Sequence, residues 1–157
     1  MFTLVTGASG HVGNNLVRTL LAEGRNVRVL IHRDSATLDK LDVEKIQGDI
    51  RDADSLNAAV KGADTVCHLA AMVSIETSGW DDLHSINTLG TTNITQACLN
   101  NGVRRLMHFS SIDAVEQKPV SIQSTKKARW PTLKNTPRMT GQKPPAKPKS
   151  GMPLKTG

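Results

Sequence analysis

Gly7, Gly10 and Gly13 stand three residues apart in the run Thr6-Gly7-Ala8-Ser9-Gly10-His11-Val12-Gly13. Backbone without side chains at this spacing can press against a phosphate. A helix beginning at the same place offers unpaired N–H groups and a partial positive charge to the anion. In such a site Gly7 permits the tight turn, Gly10 lets a pyrophosphate approach, and Gly13 lets helix and strand pack closely. The spacing is G-x-x-G-x-x-G rather than G-x-G-x-x-G, and the same glycines also suit a tight turn that binds nothing. Some twenty residues further on lies His32-Arg33-Asp34. An acid at that place takes ribose hydroxyls, as in NAD sites, whereas a cation takes the 2′-phosphate of NADP. The permanent charge of Arg33 favours NADP. Asp34 argues for NAD, or pairs with Arg33 in a solvated loop.

These residues need elements to bring them together. Phe2-Thr3-Leu4-Val5 reads as a buried strand, and Val12, Leu16, Leu20 and Leu21 give the next segment a helical stripe that stops at Gly24. Asn26 to Ile31 and Val43 to Gly48 read as strands, with a loop or short helix over 35–42 between them. Asp52 caps a helix carrying Leu56, Ala59 and Val60, closed by Gly62. Asp64 to Leu69 is a fourth strand and 71–79 a loop. Trp80 to Asn101 is a long helix with Leu83, Ile86, Leu89, Ile94 and Cys98 near one stripe, and Arg104 to Phe109 is a fifth strand. Strands separated by helical segments predict right-handed crossovers and a doubly wound parallel α/β sheet of the Rossmann kind, order 3-2-1-4-5. Ligands bind such sheets beyond the carboxyl ends of the strands, near the switch between the first and fourth.

Composition divides the chain. Residues 1–116 hold ten Lys and Arg against all fourteen Asp and Glu, a net of −4, whereas 117–157 hold ten Lys and Arg, no acid and all seven prolines. The expectation is an incomplete Rossmann domain over 1–116 and a Pro/Lys-rich, disordered tail over 117–157. Cys67 and Cys98 lie in apolar patterns and read as buried free thiols, with no metal-ligand spacing. No apolar run approaches the roughly 18 residues of a membrane span, and the chain opens directly on a strand, so a soluble, cytoplasmic protein without a signal peptide is expected.

Five motifs in order then carry a resemblance. Thr6 to Gly13, Gly48-Asp49-Ile50-Arg51-Asp52, His68-Leu69-Ala70-Ala71, Asn87-Thr88-Leu89-Gly90-Thr91 and Phe109-Ser110-Ser111 resemble the extended short-chain dehydrogenases/reductases. The branch is that of the NAD(P)-dependent epimerases/dehydratases and dihydroflavonol-type reductases. The likeness covers about three quarters of the chain. It implies cofactor contacts from Gly7, Ser9, Gly10, His11, Val12 and Gly13, with His11 acting through its backbone. Asp49 and Ile50 would meet the adenine, and Leu69, Ala70, Ala71 and Ser110 would run along the cofactor. His32 falls where dihydroflavonol-type reductases often carry arginine, beside Arg33. Ser111 would hold the reacting oxygen, although a serine that merely ends a strand is a reading that fits Ser110 equally well, and Asn87 would support the catalytic site. His68 reads as structural.

The family's chemistry also uses Y-x-x-x-K after the serine, the tyrosine passing the proton while hydride moves. This sequence contains no tyrosine. The abrupt change of composition near Gln117 is what a truncated or frameshifted gene would produce. Two readings follow. One is the cofactor-binding part of an oxidoreductase or epimerase, catalytically impaired. It would move hydride at an alcohol/ketone carbon of a small molecule, such as a nucleotide sugar or a flavonoid- or steroid-like ketone. The alternative is a non-catalytic nucleotide-binding module whose basic tail contacts nucleic acid or an acidic partner. The sequence leaves the oligomeric state open.

Overall fold

The computed structural model describes residues 1–33, 36–73 and 79–111. Asp34, residues 74–78 of the 71–79 loop, the expected boundary near Gln117 and the basic tail lie outside the described residues. Five strands, β1 (Phe2–Thr6), β2 (Val27–Ile31), β3 (Glu44–Gln47), β4 (Ala63–His68) and β5 (Arg105–His108), form one sheet in the order β3-β2-β1-β4-β5. All four pairings are parallel, and Thr6 at the end of β1 lies opposite Leu30 on one side and His68 on the other. This is the doubly wound order expected from the sequence.

Alternation along the central strands builds two cores, because successive side chains leave opposite faces of a strand. Leu4, Leu30 and Val66 pack on one face with Leu56, Val60, Ile94 and Ala97. Those partners belong to α2 (Ala53–Val60) and α4 (Gly90–Asn100). Val5, Val29, Ile31 and Cys67 pack on the other face with Val17 of α1 (His11–Ala22). Asp52 caps α2 as expected, its carboxylate accepting the Asp54 N–H at 3.0 Å. Cys67 and Cys98 are buried free thiols. A short 3₁₀ turn, Ala36–Leu38, tucks Leu38 under the sheet.

Two features differ from the sequence reading. The helix expected over 80–101 is α3 (Trp80–Leu83), a π-helical segment (His84–Leu89) and α4 in unbroken succession. Val12 and Leu89, both placed on buried stripes, are 57% and 48% exposed. In each case the next residue is a glycine that takes the inward position. Gly13 abuts the Gly7 carbonyl and Gly90 abuts Ile50, so the preceding side chain, about 100° back around the helix, turns outward. Among the described residues β5 pairs only with β4, leaving Met107 39% exposed on an open edge and Phe109 45% exposed just after it. No helix among the described residues is long and apolar enough to cross a membrane.

Candidate dinucleotide site

The site begins where β1 ends. Gly7 has φ +71°, and a Cβ there would stand 2.6 Å from the Ala70 amide nitrogen, so the turn passes against the backbone that follows β4. Only glycine meets both conditions cheaply. The Gly10 N–H donates to the Gly7 carbonyl at 3.1 Å and the Asn14 N–H to the Gly10 carbonyl at 2.8 Å, which starts α1. Gly10 as N-cap contributes no side-chain acceptor, and the first turn of α1 holds no acid. The positive end of the helix therefore keeps its pull on an anion. A Cβ on Gly13 would lie 2.2 Å from the Gly7 oxygen; that contact seats the helix on the turn.

In front of this turn lies a cavity of about 570 Å³, within the range of small-molecule sites. Gly7, Ser9, Gly10, His32, Arg33, Asp49, Ile50, Leu69, Ala70 and Ala71 all line it. They come from the carboxyl ends of β1 to β4, where the parallel sheet leaves its crevice. His11, Val12 and Gly13 do not line the cavity wall: His11 and Val12 are exposed on the first turn of α1, and Gly13 is buried behind the glycine turn. Ser110 is exposed and Ser111 half-buried, just beyond β5 and outside the cavity lining. Thr6, Leu30, Ile31, Gly48, Arg51, Met72 and Ile86 also line the cavity and were not singled out as site residues. Arg51 and Gly48 were legible inside the Gly48–Asp52 motif, whereas Ile86 reaches the site only through packing of the π segment.

The end of the cavity beneath β3 is ionic. Asp49 accepts from the Arg51 backbone N–H at 2.9 Å, and the Arg51 guanidinium binds both carboxylate oxygens. His32 Nε2 lies 3.4 Å from Asp49 Oδ2. Hydrogen bonding from Arg51 outweighs partial burial and holds the Asp49 carboxyl below the usual carboxylate range. Asp49 is the only acid lining the cavity among the described residues, and it is neutralised by a bidentate arginine. Ser55 fixes the loop from below, donating to the Asp49 carbonyl at 3.0 Å and accepting from the Asp49 N–H at 3.2 Å.

The opposite wall is held by Asn87. Its Oδ1 accepts from the Met72 N–H and its Nδ2 donates to the Met72 carbonyl, each at 2.8 Å. The carboxamide thus spends one acceptor and one donor on the Met72 backbone, which ties Asn87 to the segment that follows Ala71. Asn87 stands within the π-helical segment, the kind of helix irregularity that recurs at functional sites. Among the described residues no group of His, Cys, Asp or Glu is arranged to hold a metal ion.

A glycine turn, an α1 N-terminus and a crevice at the β1/β4 switch define a Rossmann-type α/β protein. Residues 4–132 match the model of the 3-beta hydroxysteroid dehydrogenase/isomerase family, and the chain belongs to that family. The matched stretch runs past residue 116, where the composition changes. Over 121 residues the chain is 47% identical to sterol demethylase protein B of Methylococcus capsulatus, covering 76% of this chain and 37% of that protein. Over 118 residues it is 40% identical to a 3 beta-hydroxysteroid dehydrogenase/Delta 5→4-isomerase of Mycobacterium tuberculosis, covering 71% of this chain and 32% of that protein. The chain thus spans about a third of the length of these relatives. Among solved structures, a short-chain dehydrogenase/reductase superfamily protein from Agrobacterium tumefaciens with bound NAD superposes with a TM-score of 0.71 at 30% identity, over 83% of this chain and 39% of that one. The resemblance to extended short-chain dehydrogenases/reductases read from the five motifs agrees with these matches.

Proposed function

We propose that this chain is the nicotinamide-dinucleotide-binding part of an oxidoreductase or epimerase acting at an alcohol/ketone carbon of a small molecule. The observation that carries this reading is the convergence of Gly7, Gly10, Asp49 and Ala70 on one cavity at the switch point. A dinucleotide fits those residues: the Gly7–Gly10 turn and the α1 N-terminus would hold the pyrophosphate, Asp49 and Ile50 the adenine end, and Leu69 to Ala71 the opposite flank. When bound, the nicotinamide supplies or accepts hydride. Ser111 is the candidate for holding the reacting oxygen, and Ser110 beside it would run along the cofactor. Asn87 keeps the wall beyond Ala71 in place. A sterol-like ketone or alcohol is the substrate class favoured by the two relatives, whose names are those of sterol and steroid proteins.

For the cofactor we favour NADP. Arg33 and His32 line the cavity at the end of β2, and Arg51 cancels the charge of Asp49, so a 2′-phosphate would meet net positive charge. The NAD in the Agrobacterium protein is the competing outcome. Without a tyrosine in the sequence, the proton has no donor of the family's kind, and turnover by the chain alone should be slight or nil. The test is a titration of the full chain with NADPH and NADH, followed by assay with a 3-ketosteroid. Saturable binding of NADPH tighter than NADH, with little turnover, is expected. Absence of binding by both would overturn the reading; Ser111-dependent turnover would overturn the impairment.

A further inference from the structure

His68 lies at the carboxyl end of β4 with 1% exposure, and both its ring nitrogens are engaged. Nδ1 is 2.7 Å from Thr6 Oγ1 and Nε2 is 3.1 Å from Thr91 Oγ1. One assignment of the protons satisfies every group in the chain. In it Thr91 donates its one hydroxyl proton to the Asn87 carbonyl at 2.8 Å and accepts from His68. Nε2 therefore carries the hydrogen, and the neutral ring presents Nδ1 as acceptor to the Thr6 hydroxyl. Thr6 Oγ1 in turn accepts the Ala70 N–H at 3.3 Å. The result is one directed chain: Ala70 N–H to Thr6, Thr6 to His68, His68 to Thr91, Thr91 to the Asn87 carbonyl. At its far end Asn87 clamps Met72. Both ends of the chain are thus on the wall formed by Ala70 and Met72, which line the cavity. The one titratable group against the ring among the described residues is His108, stacked at 5.3 Å between centroids.

We propose that His68 is a positioning residue for the dinucleotide pocket, its imidazole joining the β1 end to the π-helical segment so that the Ala70–Met72 backbone is held at a fixed distance from the glycine turn. This rests on reading the cavity as a dinucleotide site. His68 touches no cavity surface itself, and motif reading left it as a structural strand residue. A neutral ring with one donor and one acceptor suits the task, because a buried chain in which every proton is used holds its members in one arrangement.

The test uses the full chain with Thr91→Val, which removes the acceptor for Nε2–H at nearly constant volume, and Thr91→Ser, which keeps the hydroxyl. Val66→Ala, in the core of the same strand, is the control for lost stability alone. Amide hydrogen exchange at Ala70 and Met72 and dinucleotide affinity are read at matched global stability. Thr91→Val should speed exchange at both amides and weaken binding, each by about tenfold, the size of one net hydrogen bond. Thr91→Ser should restore both, and Val66→Ala should move neither. The ¹⁵N shifts of His68 in the unmodified chain should show the Nε2–H tautomer, a readout that survives if a variant does not fold. An Nδ1–H tautomer, or Thr91→Val matching Val66→Ala, overturns the proposal. If the unmodified chain binds no dinucleotide, the reading of the pocket fails, and amide exchange with the tautomer still decides the positioning role.

Discussion

A Cβ placed on Gly13 would stand 2.2 Å from the carbonyl oxygen of Gly7. Gly7 cannot yield easily, since it is itself wedged against the Leu69–Ala70 backbone.

Gly13→Ala is therefore expected to shift α1 away from the turn. The strain of overpacking should cost about 2–3 kcal/mol, visible as a lower denaturant midpoint at unchanged slope. Dinucleotide binding should be lost, because the helix end no longer faces the cavity. Gly24→Ala serves as the comparison: its φ of +71° is strained for alanine, yet a Cβ there meets nothing within 4 Å. Stability should fall with it by about 1 kcal/mol, and binding should persist.

The proposed preference for NADP rests on Arg33. Its guanidinium is exposed at the cavity mouth, where it would meet a 2′-phosphate and little else. Arg33→Ala should raise the Kd for NADPH about tenfold or more, the scale of a charge-assisted hydrogen bond, and change that for NADH less than about twofold. Raising the salt concentration should weaken NADPH more than NADH in the unmodified chain. Equal losses for both cofactors would place the phosphate elsewhere.

The sheet order and the glycine turn were legible because both are written in local pattern: apolar strands of the right length, and three glycines between strand and helix. The misplacements share one cause. Val12 and Leu89 sit at helical spacing with true core residues, yet Gly13 and Gly90 take the inward positions. A hydropathy pattern registers side chains and so passes over a helix face closed by a residue that has none. The cavity's Asp49 was legible in its motif, but its capture by Arg51 depends on a local turn that residue spacing does not reveal. The His68 chain was illegible for another reason: Thr6, His68 and Thr91 meet only after β1, β4 and α4 have packed.

Burial should make both thiols inert in the folded chain. Cys67 is wholly buried and Cys98 5% exposed, and burial raises both, Cys98 to about 11. The thiolate is the reactive form. A chromogenic disulfide reagent at about pH 8 should titrate neither cysteine in native protein and both after denaturation. Fast reaction of one thiol in the native state would show that the β5 side of the sheet opens, since Cys67 lies opposite Met107 of the edge strand.

The acid limb of stability should belong largely to His68. Burial, with His108 beside it, lowers its pKa from 6.5 to about 4 in the folded chain. The unfolded chain takes up this proton first, so the stabilisation is complete above about pH 6.5 and is lost as pH falls toward 4. The loss between about pH 7 and pH 5 is on the order of 2 kcal/mol. His108, also lowered by burial, adds to the same limb, whereas Asp49, lowered by its Arg51 bonds, contributes only further into acid. Protonation would also reverse the Nδ1 bond, since Nδ1 would then donate and the Thr6 hydroxyl proton would lose its acceptor. Denaturant midpoints measured from about pH 7 to pH 5 should fall steeply for the unmodified chain. His68→Gln should be less stable at neutral pH and show a markedly flatter profile. An unchanged slope in that variant would assign the acid sensitivity to His108 instead, and His108→Gln would then carry the flattening.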